Sequence, residues 1–115
     1  MRINMNQSIK DWEGNEIVLP KSLDSDEKES LILRHVCLNC LGAVHEDEKN
    51  LSGEEKFKRN GIAMNIVNSK NGVVDLSSEQ ISELKKLIGK LYGPVVVGST
   101  WNMLENPDSK LEVLK

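Results

Sequence analysis

The stretch from Leu76 to Glu105, "LSSEQISELKKLIGKLYGPVVVGSTWNMLE", decides what kind of fold this chain adopts. Ser77 followed three residues later by Gln80 is a capping box, in which each side chain satisfies an amide that a helix start leaves without a partner. Leu76 before the cap and Ile81 after it form the matching hydrophobic staple. From there Ile81, Leu84, Leu87, Ile88 and Leu91 make an unbroken apolar stripe, while Glu83, Lys85, Lys86 and Lys90 fall off it. "YGP" breaks this helix, and Pro94 suits the first position of a new one, where its missing N–H costs nothing. The "VVV" that follows favours strand by propensity alone. Val97, Trp101 and Leu104 fall at i, i+4 and i+7, however, so the spacing predicts a helix over 94–105 folded back on the stripe, with Trp101 largely buried.

Working back along the chain, Ser52 with Glu55 repeats the capping-box pattern, and "EEKFKRNGIAMNIVNSK" continues as a helix. Phe57, Gly61, Met64 and Val67 share one stripe of it. Its acids come early and Lys70 comes late, the order that the helix dipole favours. Asn71–Gly72 stops this helix, and "VVDL" reads as a short strand. An earlier helix spans about Ser30 to Val44, with Leu33, Val36, Cys37, Cys40, Leu41 and Val44 on one face. The polar loop "HEDEKN" follows it. The first twenty residues read as a β-hairpin, with Ile3 and Met5 on the incoming strand and Ile17 and Val18 on the return. Asp11, Gly14 and Asn15 supply the turn, and Pro20 ends the return strand. "KSLDSDEKE" is a charged connection. The chain is therefore expected to be α+β: an N-terminal β-hairpin packed on about four α-helices, mostly helical. It forms a single globular domain over 1–106 with a loose tail over 107–115.

A chain of 115 residues is one domain long, and a domain of that size needs no metal or disulfide to fold. Its apolar share of 38% is ordinary, but Trp12, Phe57, Tyr92 and Trp101 are its whole aromatic complement, so aliphatic side chains must build the core. The formal net charge of −3 comes from interspersed acids and bases, without the basic excess that phosphate neutralisation demands of most nucleic-acid binders. No apolar run is long enough to span a membrane. "MRINMNQSIKDWEG" lacks the apolar centre of a signal peptide, so the expected location is the cytoplasm, with both cysteines reduced.

Chemistry-bearing residue types concentrate in "LRHVCLNCLGAVH" at 33–45, where His35, Cys37, Cys40 and His45 offer the four donors a zinc ion takes. The geometry argues against a metal. Cys37 and Cys40 sit inside a helical period, and His35 lies about 200° around the helix from Cys37. A redox pair would sit at a helix N-terminus, where the dipole lowers a thiol pKa, whereas these two lie mid-helix. Small buried core residues are the favoured reading. A helix-turn-helix over the last two helices lacks any Arg or Lys on its reading helix, so a helical hairpin is preferred. Lys56, Lys58 and Arg59 share their helix with Glu54 and Glu55 and read as a solvated face. Phosphate-loop, dinucleotide, nucleophile-elbow and HExxH motifs do not occur, and the acidic loops "HEDE" and "DSDE" read as solvated rather than as calcium sites. The residues thus give no catalytic centre, metal or cofactor.

The segments "LSGEEKFKR" and "VDLSSEQISELKKLIGKLYGPVVVGSTWNMLE" together resemble a family of small proteins from tailed bacteriophages and prophages. That family carries a turn near the N-terminus, a helix like "VCLNCL", an "SGEEK-x-KR" helix and a closing "KKLIGK-x-YGP" segment. The likeness covers most of 1–105 and is strongest at 52–59 and 84–98. Its motifs are caps, a helix break and an apolar stripe, so they mark kinship rather than activity. The chain departs from the pattern in its acidic connection and at Ile32, where a threonine cap is expected. The resemblance implies a virion assembly accessory such as a tail assembly chaperone, working on other phage proteins in the host cytoplasm.

The expected function is therefore protein–protein binding in virion assembly, through other phage proteins or self-association. Membranes are not expected as partners and nucleic acid is disfavoured. A small regulator of nucleic acid or of a host protein is the alternative, and a metal-dependent protein using Cys37 and Cys40 is a third. With Val97, Trp101 and Leu104 turned to the core, Val96 and Met103 remain on another face of the last helix and are the expected binding residues.

Overall fold

A computed structural model of the chain describes residues 1–20 and 28–105. The connection over 21–27 and the expected tail over 107–115 lie outside the described residues. The fold is α+β, with strands β1 (Arg2–Asn4), β2 (Val18–Pro20), β3 (Lys28–Ser30) and β4 (Val73–Asp75), and helices α1 (Leu33–Gly42), α2 (Gly53–Val67), α3 (Ser78–Leu91) and α4 (Pro94–Glu105). α1 packs against both α2 and α3, and α4 lies against α3.

α3 forms as its sequence dictates. Both arms of the Ser77–Gln80 box are present, and Ile81, Leu84, Leu87 and Ile88 are buried. Each of those four side chains stabilises the fold by roughly 1.5–3 kcal/mol on burial. The stripe's last member, Leu91, is exposed. Tyr92 takes an extended conformation and ends α3, and α4 begins at Pro94. The helical hairpin is closed by Trp101, whose indole Nε1–H donates to the Lys85 carbonyl at 3.1 Å while the Lys85 ammonium lies 4.8 Å from the ring centre. Trp101 is half-buried rather than largely buried: it packs against the edge of the core with the Lys85 ammonium over its ring.

The N-terminal hairpin forms with different partners from those expected. The turn at 11–15 is as read: Gly14 has φ +88°, and the Asp11 carboxylate accepts from the amides of Glu13 and Asn15. The arms that meet across it, however, are Ile9–Lys10 and Glu16–Ile17. A turn over Met5–Asn6, where the Asn6 amide donates to Asn4 Oδ1, cuts Ile3 off from that hairpin. β1 pairs instead with β4, antiparallel, with Ile3 opposite Val74 and both buried. The "VVDL" segment is thus the partner that the N-terminus needed. From sequence alone, Lys28 and Glu29 belong to the connection and Ser30 to the start of the first helix, since Lys-Glu-Ser carries no strand preference; the three form β3 instead, held by antiparallel pairing to β2, Val18 opposite Ser30. Ile9, Ile17 and Leu31 tie the two regions together, each donating its amide to another's carbonyl in turn.

Glycine is required at Gly72. Its φ is +74°, its carbonyl accepts from the Met5 amide at 2.7 Å, and a Cβ there would collide with the Asn6 side chain. α1 is shorter than the sequence implied. Ile32 occupies its N-cap with no side-chain hydrogen bond, in keeping with the missing threonine, and Val44 lies past its end, 92% exposed.

The largest difference concerns α2. Ser52 caps it through the Glu55 amide, but the buried residues are Arg59, Ile62 and Ile66. The stripe of Phe57, Gly61, Met64 and Val67 faces solvent. Two apolar stripes compete on this helix, and the aliphatic pair Ile62 and Ile66 takes the core. That choice demands burial of Arg59, which is possible because its guanidinium is fully partnered. It donates to Glu48 Oε1 at 2.8 Å and Oε2 at 2.6 Å, and its Nε donates to Glu83 at 3.1 Å.

Candidate functional site

Residues 33–45 are a core helix followed by a cap. Cys37 and Cys40 are fully buried free thiols, and burial pushes both up to about 12, with Cys40 adding to the effect on Cys37. His45 is also buried, with Nε2 3.1 Å from the Cys40 carbonyl oxygen. With its proton on Nε2, the ring donates to one of the carbonyls that the last turn of α1 leaves without a helical partner. His35 and His45 therefore do not converge on the thiols. No group of three or more His, Cys, Asp or Glu among the described residues is placed to hold a metal ion.

The two residues expected to form a binding patch on α4 lie against the core instead. Met103 is 8% exposed, and Val96 is half-buried and packed on the core. Between them at helical spacing is Thr100, fully buried, its hydroxyl donating to the Val96 carbonyl at 2.8 Å. A threonine that satisfies itself on the preceding turn behaves as a small apolar residue. The inward face of α4 is therefore built from Val96, Thr100, Met103 and Leu104, with Val97 and Trp101 packed along its edge.

Exposed apolar surface is found on α2. Phe57 is 75% exposed and Met64 47%, with Gly61 between them bearing no side chain. At 100° per residue, Phe57 and Met64 point within about 20° of each other and roughly opposite Ile62 and Ile66. Val67 extends this surface toward the C-terminal end of the helix. Beside the stripe, a pocket of about 420 Å³ opens between the end of α1 and α2. Leu38, Leu41 and Ala43 line its α1 side, Lys56, Asn60 and Ala63 its α2 side, and Lys49 and Leu51 the connecting loop. The Arg59–Glu48 pair lines it as well.

That pair anchors the short 3-10 turn Glu46–Glu48 to two helices. Besides Arg59, Glu48 receives Lys90 of α3 at 3.1 Å, while Asp47 takes the same ammonium at 3.0 Å. Hydrogen bonds from Arg59, above all, hold the Glu48 carboxyl down at about 2 against the opposing effect of burial; Lys90 contributes as well. From sequence alone, Arg59 belongs to a solvated face with Lys56 and Lys58, whereas the fold buries it. Lys56 and Lys58 are exposed as that reading has them, Lys58 with a local pair 3.6 Å from Glu55, and only Arg59 departs from it. No sequence signal linked Arg59 to Glu48 or Glu83, because the three lie on separate elements.

Set against family models, curated proteins and solved structures, the chain matches none of them. No helix among the described residues is long and apolar enough to cross a membrane.

Proposed function

We propose that this chain is a non-catalytic protein-binding module that works in the assembly of a phage particle, in the manner of a tail assembly chaperone. The observation that carries the binding reading is the outer stripe of α2. An aromatic residue three-quarters in water, two turns from a half-exposed methionine on the same face of a well-capped helix, is the pattern that a helix-pair or helix-in-groove contact uses. Large aromatic side chains contribute disproportionately at such contacts. The phage setting is supported by the resemblance at 52–59 and 84–98, and the first of those segments contains Phe57 itself.

The test pairs two measurements on the same preparation. The chain is used to capture proteins encoded by neighbouring genes, and its binding to duplex DNA is titrated with salt. A protein partner, with no DNA affinity that falls steeply as salt rises, is the expected result. Salt-steep DNA binding without a protein partner would establish the regulator instead.

A further inference from the structure

The pocket between α1 and α2 differs in charge from the molecule around it. Three cations, Lys49, Lys56 and Arg59, line it against a single carboxylate, Glu48, on a chain whose net charge is −3. Arg59 and Glu48 neutralise each other at 2.6 Å. Lys49 and Lys56 are exposed, and neither has an ion-pair partner among the described residues. Of the other acids on the same turn, Asp47 is held by Lys90, and Glu46 does not line the pocket. Two uncommitted ammonium groups thus overlook walls made of Leu38, Leu41, Ala43 and Ala63. Lys56 and Asn60 border both the pocket and the outer stripe, since on a helix they lie about 60–100° from Phe57.

We infer that this pocket receives an acidic segment of the protein partner, which seats an aliphatic side chain between α1 and α2 and sets its carboxylates beside Lys49 and Lys56. The inference rests on the protein-binding reading above and gives that partner its chemistry: it lies along Phe57 and Met64 and dips into the pocket at its acidic, leucine-like positions. Apolar burial and the lysine–carboxylate pairs share the affinity, and the lysines also supply register and steering, so binding weakens with salt.

The probe is a capped peptide, acetyl-Asp-Leu-Glu-Leu-Asp-amide, titrated into the isotope-labelled full chain and followed by amide chemical shifts. Shifts at Ala43, Val44, His45 and Asn60 are expected. Affinity should be at least about tenfold weaker for the Asn/Gln analogue, and equally so for Lys49→Glu plus Lys56→Glu, about 1.4 kcal/mol. Those two lysines are exposed and make no ion pair among the described residues, so the variant keeps its circular dichroism spectrum. Equal binding of the neutral peptide, or full binding by the lysine variant, overturns the inference. So does occupation of the pocket by octanoate but not by the peptide, which would make it a site for a small free acid. If partner capture needs Phe57 and Met64 but not the lysines, the pocket inference fails while the protein-binding reading stands. If capture needs neither pair, both fail.

Discussion

Replacing Arg59 with alanine tests the least expected element of this fold. The substitution removes two hydrogen bonds to Glu48, at 2.8 and 2.6 Å, and one to Glu83 at 3.1 Å, and it vacates a position facing the core of α2. Breaking a buried ion pair by deleting one partner costs about 3–5 kcal/mol, because the remaining charge is left in a poor environment. Glu48 keeps Lys90 at 3.1 Å, which offsets part of that cost, so about 3 kcal/mol is expected. For a domain of this size, that is roughly 10 °C in Tm, and it should shift the urea midpoint without changing the slope. Acid unfolding of the parent gives a second reading. Glu48 is lowered to about 2 from its ordinary 4.5, so its contribution is complete above about pH 4.5 and is lost as pH falls toward 2. In Arg59→Ala most of that pH dependence should disappear. Joint replacement of Arg59 by Met and Glu48 by Leu should recover much of the stability, since an apolar pair of similar volume leaves no orphaned charge. A loss below about 1 kcal/mol in Arg59→Ala, with acid unfolding unchanged, would refute the reasoning.

Val96→Asp plus Met103→Asp should unfold the chain, because both positions pack on the core; a folded double variant by circular dichroism would contradict that placement. Gly72→Ala should cost more than about 1 kcal/mol in urea unfolding, since the backbone there is left-handed and Asn6 blocks a Cβ. Cys37→Ala plus Cys40→Ala should keep the fold at a cost of a few kcal/mol through the cavities left behind, and should bind no less zinc than the parent. In the parent, both thiols should resist a thiol reagent at pH 8 until the chain unfolds, as a pKa of about 12 leaves roughly one thiolate in ten thousand.

Helices were legible where their signals are local. Caps at Ser52 and Ser77, the break at Gly93–Pro94 and the periodic stripe of α3 all act within a turn or two of the chain. Pairing was not legible, because β1 joins β4 across seventy residues and only a folded chain brings them together. Orientation failed wherever a polar residue was buried by finding its own partner. Arg59 did so through Glu48 and Glu83, and this turned Phe57 and Met64 outward. Thr100 did so through the Val96 carbonyl, and this turned Val96 and Met103 inward. The candidate surface therefore moved from α4 to α2 for a single reason. An apolar stripe read from sequence shows that a helix has a face, but the partners of its polar residues decide which face the core receives.

The central claim, that the outer face of α2 is where this protein binds another, is tested most directly by Phe57→Asp plus Met64→Asp. Phe57 is three-quarters and Met64 about half in water, and neither belongs to the buried core, so the variant should stay close to the parent in Tm and keep its circular dichroism spectrum. Calorimetric titration against the captured partner should then show affinity reduced by at least about a hundredfold, the loss expected when a central aromatic anchor and its neighbour are made charged. A variant that is folded and binds at the parental affinity would contradict the claim.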